Sequence, residues 1–507
     1  MITASLIGLP LVFALLLLFT KGDGVKRIAL VASVIELAVA LVAFFYVYRF
    51  PASHADQLTR DLVWINSIGV HFHIALDGIS MVLVLLTCFL MPLIILSSFN
   101  HKYENPSMFY SLMLFMQMAL VGVFVARDGF LFYVFWELAL IPIYFICLIW
   151  GGENRGRITF KFFVYTLFGS LFMLASLIYL YLNTGNGTGV HSFDIDALYF
   201  AGQHLSATAQ SWVFWGLFLA FAIKMPIFPF HTWQPDTYVT APTQGTMLLS
   251  GIMLKMGTYG LIRWLLPMVP VGFSQWAPLA IGLSVVSVVY ASAMAIAQKD
   301  FKRLIAYSSI AHVGLISAGI FAFHPPAGDG ILHTEGISGA IAQMFSHGIT
   351  VVGLFFVADI ILGRTGTREM GKLGGIRNVS PQFTTLFMII MLGSVALPLT
   401  SGFVGEFLLI NSLYQYGIWT AAIGGLTIIL GAVYMLRSFQ AIMLGETKGT
   451  TSNFAALNTS EMAVLVVIAA AVIFFGVYPK PILGIIQNDV QQLLENIKFT
   501  TLTQTTF

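Results

Sequence analysis

Four ionisable side chains stand in otherwise apolar sequence. They are Glu137 in FYVFWELALIPIYF, Lys224 in LFLAFAIKMPIFPF, Lys255 in LLSGIMLKMGTYGL and Glu406 in LTSGFVGEFLLI. In hydrocarbon, a charge near the centre of a helix costs roughly 2.5–3.5 kcal/mol even on a lenient insertion scale. Such groups must face a bundle interior and find partners or water. Desolvation weakens proton binding by a buried amine, and a nearby carboxylate strengthens it. A Glu–Lys pair whose separation changes is therefore a switchable proton site, and Glu137 with Lys224 is the expected pair. His312 in YSSIAHVGLISAG and His347 in AQMFSHGITVVG form a second layer. Imidazole titrates near neutral pH and can bridge a proton path. A static ion pair that fixes helix packing would also place charges in spans. It would not explain why Lys224 and Glu406 both lie beside Pro-containing breaks, at Pro226 and Pro398. Breaks free backbone carbonyls, which membranes tolerate where they line protein or a wet cavity.

The elements that hold these residues are helices of membrane length. The chain has 507 residues, 58% hydrophobic and 9% charged, against about 25% charged for a soluble domain. A bilayer core needs roughly 20 apolar residues per helix. The apolar runs imply an all-α polytopic membrane protein of about fourteen transmembrane helices, with no soluble insertion. Residues 190–206 are too short and polar to span and are expected at the interface. The formal charge of +2 gives no reason to expect a nucleic-acid partner; the lipid bilayer is the expected surround. Cys88 and Cys147 fall inside expected spans, so neither a disulfide framework nor a zinc site is expected. The N-terminal run lacks a basic n-region and a cleavage site and reads as a retained helix.

Lys and Arg gather in the odd-numbered loops, for example Arg155, Arg157 and Lys161, or Arg364, Arg368, Lys372 and Arg377. The positive-inside rule puts those loops in the cytoplasm and both termini on the other side. A weak internal symmetry accompanies this. Arg127-Asp128 and Lys299-Asp300 precede the fifth and tenth runs at one sequence separation, and Pro226 and Pro398 repeat it. Glu137 and His312 match it to within a helical turn. Two inverted five-helix repeats with broken helices 7 and 12 fit these offsets. Such repeats mark transporters, with the site at the breaks. The expected divisions are flanking helices 1–3 over 1–107, a first repeat (helices 4–8) over 108–265, a second (helices 9–13) over 266–440, and a last helix and tail over 441–507.

Other features read more plainly. Asp77 is expected to cap a helix, and Glu36 is given no role. Lys299, Lys302 and Arg303 read as a basic anchor at the membrane edge, and His231 as interfacial. No nucleotide, flavin, iron–sulfur or haem motif is present, and no cofactor or metal is expected on this chain.

The segments FWELALIPIYF, AIKMPIFPFHTWQPDTYVTAPTQGTMLLSGIMLKMGTYGLIRW, QKDFKRLIAYSSIAHVGLISAG and LPLTSGFVGEFLLI resemble the antiporter-like subunits of respiratory complex I, the proton-translocating NADH:quinone oxidoreductase. The likeness is strongest to the subunit M, or chain 4, branch. It implies that Glu137 and Lys224 are the ion pair of helices 5 and 7, Lys255 the central proton carrier, and Glu406 the residue of helix 12 at the outlet or the link to the next subunit. It places His312 and His347 on the central hydrophilic axis as relay groups. Related subunits L and N usually carry Lys at the position of Glu406, and this chain lacks the long lateral helix of subunit L. The resemblance implies a non-redox subunit in a bacterial inner membrane, beside subunits L and N. NADH, FMN, iron–sulfur clusters and quinone would be handled by partner subunits. One departure is Leu399, where Gly commonly follows the Pro; it is expected to stiffen the break. The alternative is a subunit of a multi-subunit cation/proton antiporter, which shares these motifs. A purely structural spacer between pumping subunits is a third reading.

Overall fold

The computed structural model describes residues 2–22, 24–49, 58–185, 190–323 and 333–497. Among them ten helices are long and apolar enough to cross a membrane, and Ile2–Leu18 and Pro381–Ser394 are shorter apolar helices. Helices dominate because each satisfies its own backbone hydrogen bonds where no water is available. Among the described residues the named strands are confined to two small antiparallel ribbons between Thr59 and Ala75. The helices are not equally placed. The most apolar stretch of Phe301–Phe321 is 100% buried, whereas that of Gly24–Arg49 and of Ile418–Met443 is 33% buried. The helix carrying His312 is thus central, and the two others are peripheral.

Asp side chains start three of these helices. Asp77 accepts from Ser80 N (2.9 Å), Asp128 from Phe130 N and Leu131 N, and Asp300 from Arg303 N. A capping carboxylate satisfies orphan N–H groups and opposes the positive end of the helix dipole. The residue after the cap then ties to a distant loop in two matching cases. Gly129 N–H donates to Phe193 O (2.7 Å), and Phe301 N–H donates to Arg368 O (3.0 Å).

The two expected breaks also match. Ala207–Lys224 ends just before Pro226, whose missing N–H prevents continuation. Ile227 N–H reaches back five residues to Ala222 O (3.2 Å). Pro381–Ser394 stops ahead of Pro398, and Leu397 N–H likewise reaches back five residues to Leu392 O (3.1 Å). Leu399 sits at φ 73°, the left-handed region that costs a non-glycine residue roughly 1–2 kcal/mol. The departure from Gly at this position therefore carries real backbone strain.

Three features were not expected. The helix carrying Glu137 is divided at Ala139 into Gly129–Leu138 and Leu140–Trp150, because Pro142 cannot donate to the Leu138 carbonyl. The helix carrying Lys255 contains two π-helical turns, Leu249–Met253 and Leu261–Leu265, on either side of Lys255. Wide turns of this kind often occur at functional sites. Thirdly, the tail after Thr459–Val477 forms another helix, Lys480–Glu495, with Ile482, Ile485, Ile486, Val490 and Leu493 among its buried residues, and it packs on Gly78–Ser97. Within 190–206 the chain forms the helix Ile195–Gln203, too short to span.

Candidate functional site

Lys255 lies between the two π turns and is fully buried. Its Nζ donates to Ser250 O (2.6 Å) and stands 2.9 Å from His347 Nδ1. An ammonium can only donate, so with Lys255 charged His347 accepts at Nδ1 and carries its proton on Nε2. With Lys255 neutral, Nδ1–H can donate back. One contact thus serves both protonation states.

His347 leads onward. Its ring centroid is 5.7 Å from that of His312, at an interplanar angle of 56°. His312 Nδ1 is 2.9 Å from Glu406 Oε1. That distance suits an ion pair, yet neither His312 nitrogen is hydrogen-bonded, so the ring is out of line for a directed bond. Glu406 Oε1 accepts from Gln343 Nε2 (3.0 Å), and Oε2 has no partner. Lys255, His347, His312 and Glu406 therefore form one contiguous buried series. The helices Phe301–Phe321, Glu335–Thr365 and Ser401–Tyr416 pack together to hold its far part.

Glu137 and Lys224 stand apart from that series and from each other. They make no ion pair within 4.0 Å. The Ser170 hydroxyl near Glu137 donates to Leu167 O (2.9 Å). Lys224 Nζ lies 5.3 Å from the Trp136 ring centroid and has no hydrogen-bond partner. Trp136 supplies cation–π attraction where a carboxylate was expected. The break that carries Lys224 still touches the helix of Lys255. A Cβ on Gly257 would fall 2.8 Å from Phe221 O and 2.9 Å from Met225 Cβ, so glycine is what permits this approach.

Several residues differ from their sequence reading. Asp77 is more than a cap: Arg127 Nη2 donates to it at 2.5 Å, and Arg263 also binds Asp77 Oδ2. Arg263 belongs to the π turn Leu261–Leu265 and is buried. Lys302 is buried too. Its Nζ donates to Ala241 O (2.8 Å) and Val239 O (3.4 Å), so it secures a helix junction instead of anchoring at an edge. His231 is buried between the Phe228 and Tyr290 rings. Glu36 is buried with both oxygens unpartnered. Asp359 was not singled out in the sequence, although it interrupts the apolar run FFVADIIL; it bonds His101 and Thr243. Among the described residues no group of three or more His, Cys, Asp or Glu could hold a metal ion.

Two family descriptions match the chain. "NADH:quinone oxidoreductase/Mrp antiporter, TM" covers residues 126–431, and "NADH-ubiquinone oxidoreductase chain 4, amino terminus" covers residues 6–126. NADH-quinone oxidoreductase subunit M of Rickettsia typhi is 40% identical over 97% of this chain and 98% of its own length. A chain of respiratory complex I from Thermus thermophilus superposes with a TM-score of 0.86 at 30% identity, covering 98% of this chain and 100% of that one. A chain of the Mrp complex from Dietzia sp. DQ12-45-1b shares the fold, with a TM-score of 0.78 at 20% identity over 96% of this chain and 51% of that one.

Proposed function

Because the chain belongs to the family of antiporter-like membrane subunits of NADH:quinone oxidoreductase, in its subunit M or chain 4 branch, we propose that Glu137, Lys224, Lys255, His347, His312 and Glu406 carry protons through it. The chain is a proton-translocating membrane-arm subunit of that enzyme. The observation that carries the relay is the contiguous series from Lys255 Nζ through His347 and His312 to Glu406. A proton leaves Lys255 for His347 Nδ1, and the Nε2 proton of His347 is then free to pass toward His312. His312 Nδ1 faces Glu406, which holds the proton at the far end. Glu137 and Lys224 act as the modulating pair at the near end. Their present separation corresponds to an open pair, and closing it changes the field at Lys255. Charge acts over such distances because screening is weak in a low-dielectric interior.

Moving one charge against 100 mV costs about 2.3 kcal/mol, so the driving energy comes from partner subunits. This chain is the non-redox part. NADH, FMN, iron–sulfur clusters and quinone belong to partners, and subunits L and N are the membrane neighbours. Fourteen crossings in a bacterial inner membrane, with both termini on the non-cytoplasmic side, fit the basic loops. Two inverted repeats within 108–265 and 266–440, flanked by 1–107 and 441–507, are supported by the matching Asp caps and matching i−5 breaks. The cation/proton antiporter reading has less support, since the Mrp likeness at 20% identity speaks for fold alone. Glu137→Gln and Lys255→Ala variants of the reconstituted complex test the relay. Both are expected to lower the protons moved per NADH oxidised; undiminished pumping in both would overturn it.

A further inference from the structure

The relay needs a place where protons arrive, and the helix of Lys255 begins at one. Thr243 opens that helix, and its hydroxyl donates to Asp359 Oδ1 at 2.6 Å. The other Asp359 oxygen is 2.8 Å from His101 Nε2. A cavity of about 530 Å³ borders this cluster, lined in part by Thr243, Asp359, Lys302, Glu153 and Arg368. It lies where odd-numbered loops meet, the end rich in Lys and Arg.

The helix itself runs from this cavity to Lys255, about 18 Å at 1.5 Å per residue. Thr243, Thr246 and Ser250 follow at i, i+3 and i+7, on one face. In a regular α-helix Lys255 would point about 120° away from Thr243. The π turn Leu249–Met253 adds a residue to one turn. This swings Lys255 back toward the hydroxyl face, and its Nζ donates to Ser250 O. Tyr103 donates to Gln244, and Gln244 Nε2 donates to Ser97 Oγ (3.3 Å), adding a second polar branch at the mouth.

We infer that His101 and Asp359, bonded to Thr243, form a proton-uptake site that feeds Lys255 along the hydroxyl face of the helix 243–255. This inference rests on the relay role of Lys255. His101 Nε2 gives a proton to Asp359 Oδ2; the carboxyl turns and donates it to Thr243 Oγ1, whose own hydrogen swings off Asp359 and leaves toward Lys255, after which the Thr243 hydroxyl again donates to Asp359. No bond other than O–H and N–H is made or broken. Lys302 stands beside the site but is held by the Val239 and Ala241 carbonyls, which makes it a scaffold. The charged or titratable groups facing the pair are Lys26, Tyr103, Lys302 and Glu461. The bond to Asp359 raises the proton affinity of His101, against burial and Lys26.

The test is proton pumping by the intact NADH:quinone oxidoreductase complex in proteoliposomes, with Asp359→Asn, Thr243→Val and Lys255→Ala compared across about pH 6 to 9. Asp359→Asn is expected to lower the protons moved per NADH at least about twofold at the alkaline end, where protons are scarce, and less at the acid end. Thr243→Val keeps the carboxylate and is expected to show the same trend. It decides the matter if Asp359→Asn fails to assemble. Unchanged pumping in Thr243→Val and in any assembled Asp359→Asn complex, with Lys255→Ala impaired, would overturn the uptake site and leave the relay standing. Full pumping by Lys255→Ala would overturn the relay itself.

Discussion

Asp77 and Glu406 are both carboxylates beside basic side chains, and their surroundings differ in one respect. Asp77 is filled: Ser80 N–H, Arg127 and Arg263 all donate to it. Burial alone would raise its proton affinity, but Arg263 and Arg127 outweigh burial and hold the carboxyl far below the usual range. It stays charged and joins three helical regions. Glu406 is under-filled: one amide donates to Oε1, Oε2 has no partner, and His312 stands close but out of line. The same incompleteness marks His347 Nε2, Lys224 Nζ and Glu137 Oε1. A saturated charge is a fastener. A charge with unused hydrogen-bonding capacity can change its protonation state without rebuilding its surroundings.

The largest effect should follow from breaking the fastener. Asp77→Ala leaves Arg127 and Arg263 without their hydrogen-bonded counter-charge, with Asp489 the remaining carboxylate nearby, and removing one partner of a buried pair costs about 3–5 kcal/mol. Thermal unfolding of the purified complex should show this chain released first. Lys255→Met should behave oppositely. Exchanging a buried ionisable group for an apolar one of similar volume is often neutral or stabilising, so unfolding should be unchanged or delayed while pumping falls. If Lys255→Met destabilised the chain as much as Asp77→Ala, the distinction between fastener and relay would fail.

Two smaller effects sharpen the comparison. Leu399→Gly should relieve the left-handed strain and stabilise the chain by about 1 kcal/mol, read as a higher unfolding temperature, and it should loosen the break beside Glu406. The smallest effect concerns His73, whose Nδ1 lies 2.7 Å from Asp194. The hydrogen bond to Asp194 raises His73 above the usual imidazole range, with burial opposing. A raised folded-state value stabilises fully below about pH 6.5, and that stabilisation is lost as pH rises through the folded value. His73→Gln should therefore lower the unfolding temperature in acid and have little effect in alkali.

The sequence made the proposed relay residues visible and left their partners hidden. Lys255, His347, His312 and Glu406 stood out because ionisable groups in lipid-length apolar runs are costly wherever they occur. Both Pro breaks and the Asp77 cap were readable for equally local reasons. Pairing was not local. Glu137 was matched with Lys224 on charge and resemblance; the two stand beyond ion-pair distance, with Trp136 against the ammonium. Asp77 and Arg263 meet across much of the chain. The π turns around Lys255 leave no periodic signature in a helix that is buried all round. Asp359 near the end of a long apolar run could have been noticed by the rule that found Glu137.

Proton translocation by the intact complex carrying Lys255→Met, at matched rates of NADH oxidation in sealed proteoliposomes, addresses the central claim most directly. Fewer protons per NADH, with assembly and electron transfer retained, is the expected result. An unchanged ratio of protons to NADH would contradict the claim that this buried series carries protons.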